Sequence, residues 1–250
     1  MLRRAVPVRL RAGVRQEGRR LVRVPRVGRV DWGGLRRLTP VSRENGYERG
    51  TPIDRYYIDG FLARHADDVR GAVLDIYDDH NSRSFGSDAV RSVDVLHRTD
   101  GHPAATVVAD LADAPAIPDD SFDCILLVQT LHLIYDMRAA LATVHRILRP
   151  GGVALATVPT ISQRCVDPDD AYEDCWRLTG YSARRLFEEV FPPPLVESET
   201  HGNVLSAVAF LEGVGAEELT ERELDHVDPL FPVLVGVRAE KPPALTGTMS

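Results

Sequence analysis

Lysine is almost missing from this chain: Lys241 stands alone against 29 arginines among 250 residues. So one-sided a choice of base reads as codon composition rather than chemistry. Cysteine is scarce, with only Cys124, Cys165 and Cys175. An odd number without paired metal-ligand spacing excludes a disulfide framework and a zinc module, and free thiols in a reducing cytoplasm are the expectation. Long apolar runs are absent as well. Nothing approaches the ~20 residues of a membrane span, and no apolar signal-peptide core opens the sequence, so a soluble, non-exported protein is expected. No G-x-G-x-x-G follows a candidate strand, which excludes a nicotinamide dehydrogenase of the usual kind. What is present is ordinary for a globular α/β chain: 44% hydrophobic and 27% charged residues.

Charge is unevenly placed. The net charge is −7, yet residues 1–37 hold twelve arginines against Glu17 and Asp31. This stretch has no helical periodicity and reads as a basic arm. Such an arm suits an anionic partner or the acidic remainder of its own chain or of a second subunit. Trp32 is its single aromatic residue, which argues against stacking on single-stranded nucleic acid. A domain over 38–242 and a frayed tail over 243–250 complete the expected organisation.

The domain is organised around the segment 118–157. Phe122 to Val128 is a nearly continuous apolar run, as a strand buried on both faces requires. Asp136 can cap a helix whose Met137, Ala140, Leu141, Val144, Ile147 and Leu148 recur at helical spacing. Pro150-Gly151-Gly152 is expected to stop that helix, and Val153 to Val158 to form the next strand. The result is a right-handed βαβ unit. Three local patterns lie in order along it: Ser121-Phe122-Asp123, Leu131-His132-Leu133-Ile134 and Leu148-Arg149-Pro150-Gly151-Gly152. Together they resemble the class I S-adenosylmethionine-dependent methyltransferases. Upstream, Gly50-Thr51-Pro52-Ile53-Asp54-Arg55-Tyr56-Tyr57 resembles a bacterial branch of that superfamily fused to, or encoded beside, glycosyltransferases. The likeness runs from about Trp32 to Pro242.

This resemblance implies a Rossmann-like, seven-stranded, mostly parallel sheet with helices on both faces and an antiparallel last strand. Helices are expected from an N-cap at Thr51 to Gly71, over Ser182–Phe191, and from Asn203. Further strands are expected at Ala72–Ile76, Ala89–Val95, Ala105–Val108, Val196–His201 and Pro232–Arg238. Ligands of open α/β sheets bind outside the carboxyl ends of the strands, where strand order reverses. There the resemblance implies an S-adenosylmethionine site. Arg55 and Tyr56 reach toward it from the preceding helix, and Asp75 lies near the end of the first strand. Tyr77 and Asp79 belong to the cofactor loop, continuing to His80 and Asn81. Asp94 meets the ribose hydroxyls, Asp110 and Leu111 the adenine, and Gln129 begins the loop that faces the methyl group. The three glycines usual in that loop are replaced by Tyr77, Asp79 and Asn81; Asp and Asn tolerate positive φ, whereas a tyrosine ring stands in the cofactor's path.

His132 is the expected proton acceptor, with His80 and His201 as rivals; packing beside Leu131 and Leu133 is the plainer role for it. The segment 159–180, with Asp167, Asp169, Asp170, Glu173 and Asp174, is expected either to contact the acceptor or to be a solvated loop. The resemblance implies O-methylation of a sugar, or of a glycosylated or natural-product small molecule. A glycosyltransferase companion and a homodimer are the expected partners. The competing expectation is the same fold with methyl transfer lost, or serving as a glycosyltransferase companion.

Overall fold

The computed structural model describes residues 25–86, 88–165 and 173–244. The acidic positions Asp167, Asp169 and Asp170, and the tail beyond Ala244, lie outside the described residues. A boundary after Leu38 divides the chain into two units, described over 25–38 and from Thr39 onward. In the first, a turn brings the Arg29 amide to the Arg26 carbonyl, and one turn of 3-10 helix spans Gly33–Leu35, where the Gly33 amide donates to Asp31.

The second unit is a seven-stranded sheet with its helices on both faces. The strands are β1 (Gly71–Ile76), β2 (Val90–His97), β3 (Val107–Val108), β4 (Phe122–Val128), β5 (Leu148–Pro159), β6 (Val196–His201) and β7 (Leu234–Glu240). Their order is β3-β2-β1-β4-β5-β7-β6. The first five run parallel, and β7 is antiparallel to both β5 and β6. Helix α1 (Ile53–Arg64) covers one face with α5 (Val204–Glu212) and the short α6 (Glu221–Leu224), burying Tyr57, Phe61, Leu62 and Phe210 against Leu126 and Leu155. Helices α3 (Met137–Ile147) and α4 (Gly180–Glu188) cover the other, where Leu141, Val144 and Phe187 meet Ile125, Leu127 and Val237. A six-residue α2 (His80–Phe85) follows β1.

Several local signals act as expected. Asp136 caps α3, its carboxylate accepting from the Ala139 amide. Thr179 with Ser182 and Asn203 with Ser206 form capping boxes on α4 and α5. Three expectations are corrected. Thr51 does not cap α1: its hydroxyl donates instead to Glu217, and Pro52 takes the cap position with no side-chain bond. Gly71 does not end that helix, which stops at Arg64; Gly71 opens β1 at φ +69°, where a Cβ would fall 2.1 Å from the Asp123 carboxylate. Pro150-Gly151-Gly152 does not stop α3 but lies inside β5. Phe122 pairs with Leu148 and Cys124 with Val153, so the turn residues bulge out of a continuous strand.

The amino edge of the sheet is tied to one carboxylate. Asp123 accepts from the Ala72 amide at 2.7 Å, from Arg91 at 2.8 Å and from Arg149 at 2.6 Å, joining the starts of β1, β2, β4 and β5. Partial burial pulls its pKa upward, but the Ala72 amide and the two guanidinium groups outweigh that and hold it below the usual value. Beside it Lys241 reaches Asp120 and the Leu148 carbonyl at 2.7 and 2.6 Å. Asp123→Ala should destabilise the domain by about 2 kcal/mol, because the half-buried Ala72 amide and two arginines lose their acceptor. The denaturant midpoint at neutral pH measures this. The loss should shrink below pH 4, where protonation of the native carboxylate already removes the same stabilisation.

Candidate functional site

Strand order reverses between β1 and β4, and a cavity of about 700 Å³ opens there at the carboxyl edge. Its wall is built from strand ends: Ile76 and Tyr77 after β1, Leu96 and Arg98 around the end of β2, Asp110-Leu111-Ala112 beyond β3, and Val128-Gln129-Thr130 after β4. Leu133 to Asp136 and, from the segment after β5, Cys165, Glu173 and Cys175 close it.

Two backbone positions shape this edge. Tyr77 has φ +75° and Gln129 φ +48°, each the residue directly after a central strand. A left-handed conformation is costly for a bulky residue, and such strain tends to gather at functional sites. At Gln129 the amide is held by the Thr157 carbonyl at 3.1 Å. At Tyr77 the amide donates to the Leu96 carbonyl, while the ring packs 4.7 Å from that of His102 and 5.7 Å from that of His97. The two imidazoles are themselves stacked at 4.4 Å. Tyr77 thus makes the turn that a glycine would make, with its ring gathered against a histidine pair.

Of the residues expected at the site, Tyr77, Asp110, Leu111 and Gln129 line the cavity. Asp110 also accepts from the Ala112 amide at 2.9 Å, which fixes its turn. Asp75 lies beneath, 1% exposed, accepting from the Ser82 amide at 2.9 Å and the Ile76 amide at 3.0 Å. Burial raises its pKa to about 6, against the opposing pull of those amides. Asn81, expected in the loop, is instead in α2 and bonds both Asp75 and Arg55. Arg55 is further paired with Asp59, and Tyr56 with Asp225 on the far side of α1; neither lines the cavity. Asp79 pairs with Arg83 along α2 and is likewise outside it.

Asp94 is also not on the wall. Strand β2 continues to His97, so Asp94 lies three residues short of the end, its carboxylate accepting from Thr106 at 2.8 Å. The side chain that β2 delivers to the cavity is Arg98. His132 faces inward: it is 6% exposed, absent from the cavity wall, and covered by Cys175 and Trp176, whose amides donate to its carbonyl. Burial lowers its pKa to about 4, with Asp174 pulling the other way, so its imidazole is neutral at neutral pH. Its rivals are elsewhere too: His80 opens α2, and His201 stacks on Tyr57 beside Glu199 and Arg64. Sequence reasoning missed Arg98, Tyr135, Cys165 and Cys175; only the position of Arg98 after a strand offered a signal. Among the described residues, no cluster of His, Cys, Asp and Glu could hold a metal ion, and no helix is long and apolar enough to cross a membrane.

Comparisons with known proteins agree with this layout. An S-adenosylmethionine-dependent methyltransferase from Archaeoglobus fulgidus superposes with a TM-score of 0.51 at 14% identity, over 75% of this chain and 94% of its own. The [4+2]-cyclase SpnF (TM-score 0.49, 13% identity, 83% and 89% covered) and the YcgJ protein of Bacillus subtilis (0.43, 16%, 74% and 100%) are more distant. No curated protein matches by sequence. Residues 69–156 match the family model described as a methyltransferase domain, a span running from just before β1 into β5. Residues 69–156 are thus similar to a methyltransferase domain, and the sheet unit has the fold of the Archaeoglobus enzyme.

Two buried groups pull stability in opposite directions between pH 6.5 and 4. His132, with its native pKa of about 4 below the ordinary 6.5, resists protons that the unfolded chain takes up, so its contribution is lost as pH falls through that window. Asp75, at about 6 against an ordinary value near 4, takes up its proton first in the native state, so stability is gained as pH falls. Relative to wild type, His132→Gln should lose less stability on going from pH 6.5 to 4.5, and Asp75→Asn more, each by about 2 kcal/mol at most. Urea unfolding at both pH values checks both signs.

Proposed function

We propose that this protein is an S-adenosylmethionine-dependent methyltransferase that methylates a hydroxyl of a small molecule, a sugar or a glycosylated natural product. The observation that carries the reading is the cavity at the strand-order reversal, walled by four strand ends of a methyltransferase domain. The cofactor fits the residues present. The volume is in the range of small-molecule sites (roughly 300–1,000 Å³). The strained turns at Tyr77 and Gln129 put their residues on its wall, and the Tyr77 ring is gathered against His97 and His102. Asp110 and Leu111 would hold the adenine end, the carboxylate accepting and the leucine packing. Tyr77 and Gln129 would flank the remainder. When bound, the cofactor supplies a methyl group activated by a sulfonium.

The chain's own part is placement of the acceptor and removal of its hydroxyl proton. With His132 buried, Asp136 and Glu173 are the carboxylates on the acceptor side of the wall that would take it. Exclusion of water falls to the apolar lining from Ile76, Leu96, Val128, Leu133 and Ile134. The reading extends to a glycosyltransferase as companion enzyme, to a homodimer, and to the cytoplasm, where free thiols stay reduced.

A second reading, the same fold turned to a reaction without methyl transfer, is favoured by Tyr77 in the glycine position and by Arg98, rather than Asp94, on the cavity wall. Two measurements separate the readings. S-adenosylhomocysteine at a hundred times its dissociation constant should stabilise the protein by about 2.7 kcal/mol. Incubation of S-adenosylmethionine with hydroxylated acceptors should then release the demethylated product; binding without release under any acceptor favours the second reading.

Site assignment is tested by substitution. Asp110→Asn should weaken S-adenosylhomocysteine binding about tenfold, since a charge-assisted hydrogen bond is worth roughly 1.5–3 kcal/mol. Asp94→Asn should leave the affinity unchanged, because Asp94 is off the wall. Calorimetric titration of both variants reads the difference, and a loss confined to Asp94→Asn would reverse the assignment.

A further inference from the structure

Next to the cavity, on the flank formed by the start of α3 and by α4, lies a second hollow of about 440 Å³. The two adjoin, because Tyr135 and Asp136 belong to the walls of both. Three aromatic side chains line the outer hollow: Tyr135, Trp176 and Tyr181. Tyr135 is 75% and Tyr181 79% exposed, among the most exposed large side chains of the unit. Burial of core surface does not explain them.

Their placement is fixed. The Tyr135 and Trp176 rings lie 5.6 Å apart, tilted by 31°, and the Trp176 indole N–H donates to the Tyr135 carbonyl. Trp176 in turn is anchored where its backbone amide meets the His132 carbonyl, so the buried histidine segment positions the aromatic wall. Tyr181 sits in the first turn of α4, secured by the Thr179–Ser182 capping box. Around the rings stand charged groups: Arg138 and Glu189 in a two-pronged ion pair at 2.7 and 3.1 Å, and Arg185.

Resting on the methyl-transfer reading of the adjoining cavity, we infer that this hollow is an outer subsite of the acceptor and that it takes a pyranose ring. The chemistry selects that occupant. A pyranose has an apolar C–H face, which packs on an aromatic plane, and a girdle of hydroxyls that exchanges hydrogen bonds with guanidinium and carboxylate groups. An alkyl chain offers the charged rim no further hydrogen bonds, and a bare aromatic ring uses only the stacking face. The shared Tyr135 and Asp136 put this sugar next to the reacting hydroxyl rather than at it. The acceptor is thus an elongated molecule, with the methylated group in the cavity and a sugar outside.

The chain supplies its own reporter. Trp32 and Trp176 are its two tryptophans, so Trp32→Phe leaves the emission of Trp176 alone. In that background, phenyl β-D-glucopyranoside and methyl β-D-glucopyranoside should each change the emission saturably at millimolar concentration, and phenol should not. Tyr181→Ala, which alters the hollow without touching the cavity wall, should weaken both sugars about three- to tenfold, the equivalent of one aromatic contact. Tyr181→Phe should restore most of the loss. S-adenosylhomocysteine titrated calorimetrically into the same variants keeps the two claims apart. Sugar binding without S-adenosylhomocysteine binding would overturn the cofactor reading and leave the subsite standing. Cofactor binding with no response to either sugar, or an equal response to phenol, would overturn the subsite.

Discussion

One carboxylate at the amino edge of the sheet determines how its opposite edge can behave. Asp123 takes hydrogen bonds from the starts of β1, β2 and β5 while itself standing at the start of β4. Parallel strands carry no hairpins to fix their mutual register, so an external tie at one end has unusual value. Here the tie is ionic and two arginines strong, and the only lysine of the chain adds a further bond beside it through Asp120. At the carboxyl ends the order of strands reverses between β1 and β4, and the crevice left there becomes the cavity.

The open edge is shaped by strain rather than by small residues. At the turns after β1 and β4 the chain adopts the left-handed backbone with Tyr and Gln in place of glycine. Each turn is held by neighbouring backbone: Tyr77 through Leu96, Gln129 through Thr157. The surrounding sheet therefore over-determines both conformations, the condition under which strained residues persist. At Tyr77 this chain makes, with a bulky side chain, a left-handed turn of the kind a glycine adopts at little cost. Beneath it, the polar chain Arg55–Asn81–Asp75–Ser82 fixes the start of α2 and fills the space under the loop.

Much of the sheet was legible because its signals are local. The apolar run Phe122–Val128 could be little else than a buried strand, and Asp136 and Asn203 precede helices they cap. What could not be read depended on partners remote in sequence. Thr51 has the chemistry of a cap, but Glu217 takes its hydroxyl. Pro150-Gly151-Gly152 looks like a terminator until β7 arrives to pair along β5 and extend it through the bulge. Asp94 was placed at the site because the end of β2 was set two residues early; pairing with β1 and β3 carries the strand on to His97 and delivers Arg98 instead. The burial of His132 depends on the chain returning at Cys175 and Trp176 to cover it. In each case local propensity was correct about the residue and silent about its partner.

The cysteines acquire a different meaning once placed. Cys124 is enclosed in the sheet, and burial raises its pKa, whereas Cys165 and Cys175 both open on the cavity. An alkylating reagent of modest size therefore meets one inert thiol and two on the cavity wall, Cys165 exposed and Cys175 half-buried. A molecule seated against Cys175 would leave its mark on the chain's own labelling pattern. Peptide mass mapping of alkylated protein becomes a footprint for ligands that carry no chromophore and undergo no reaction.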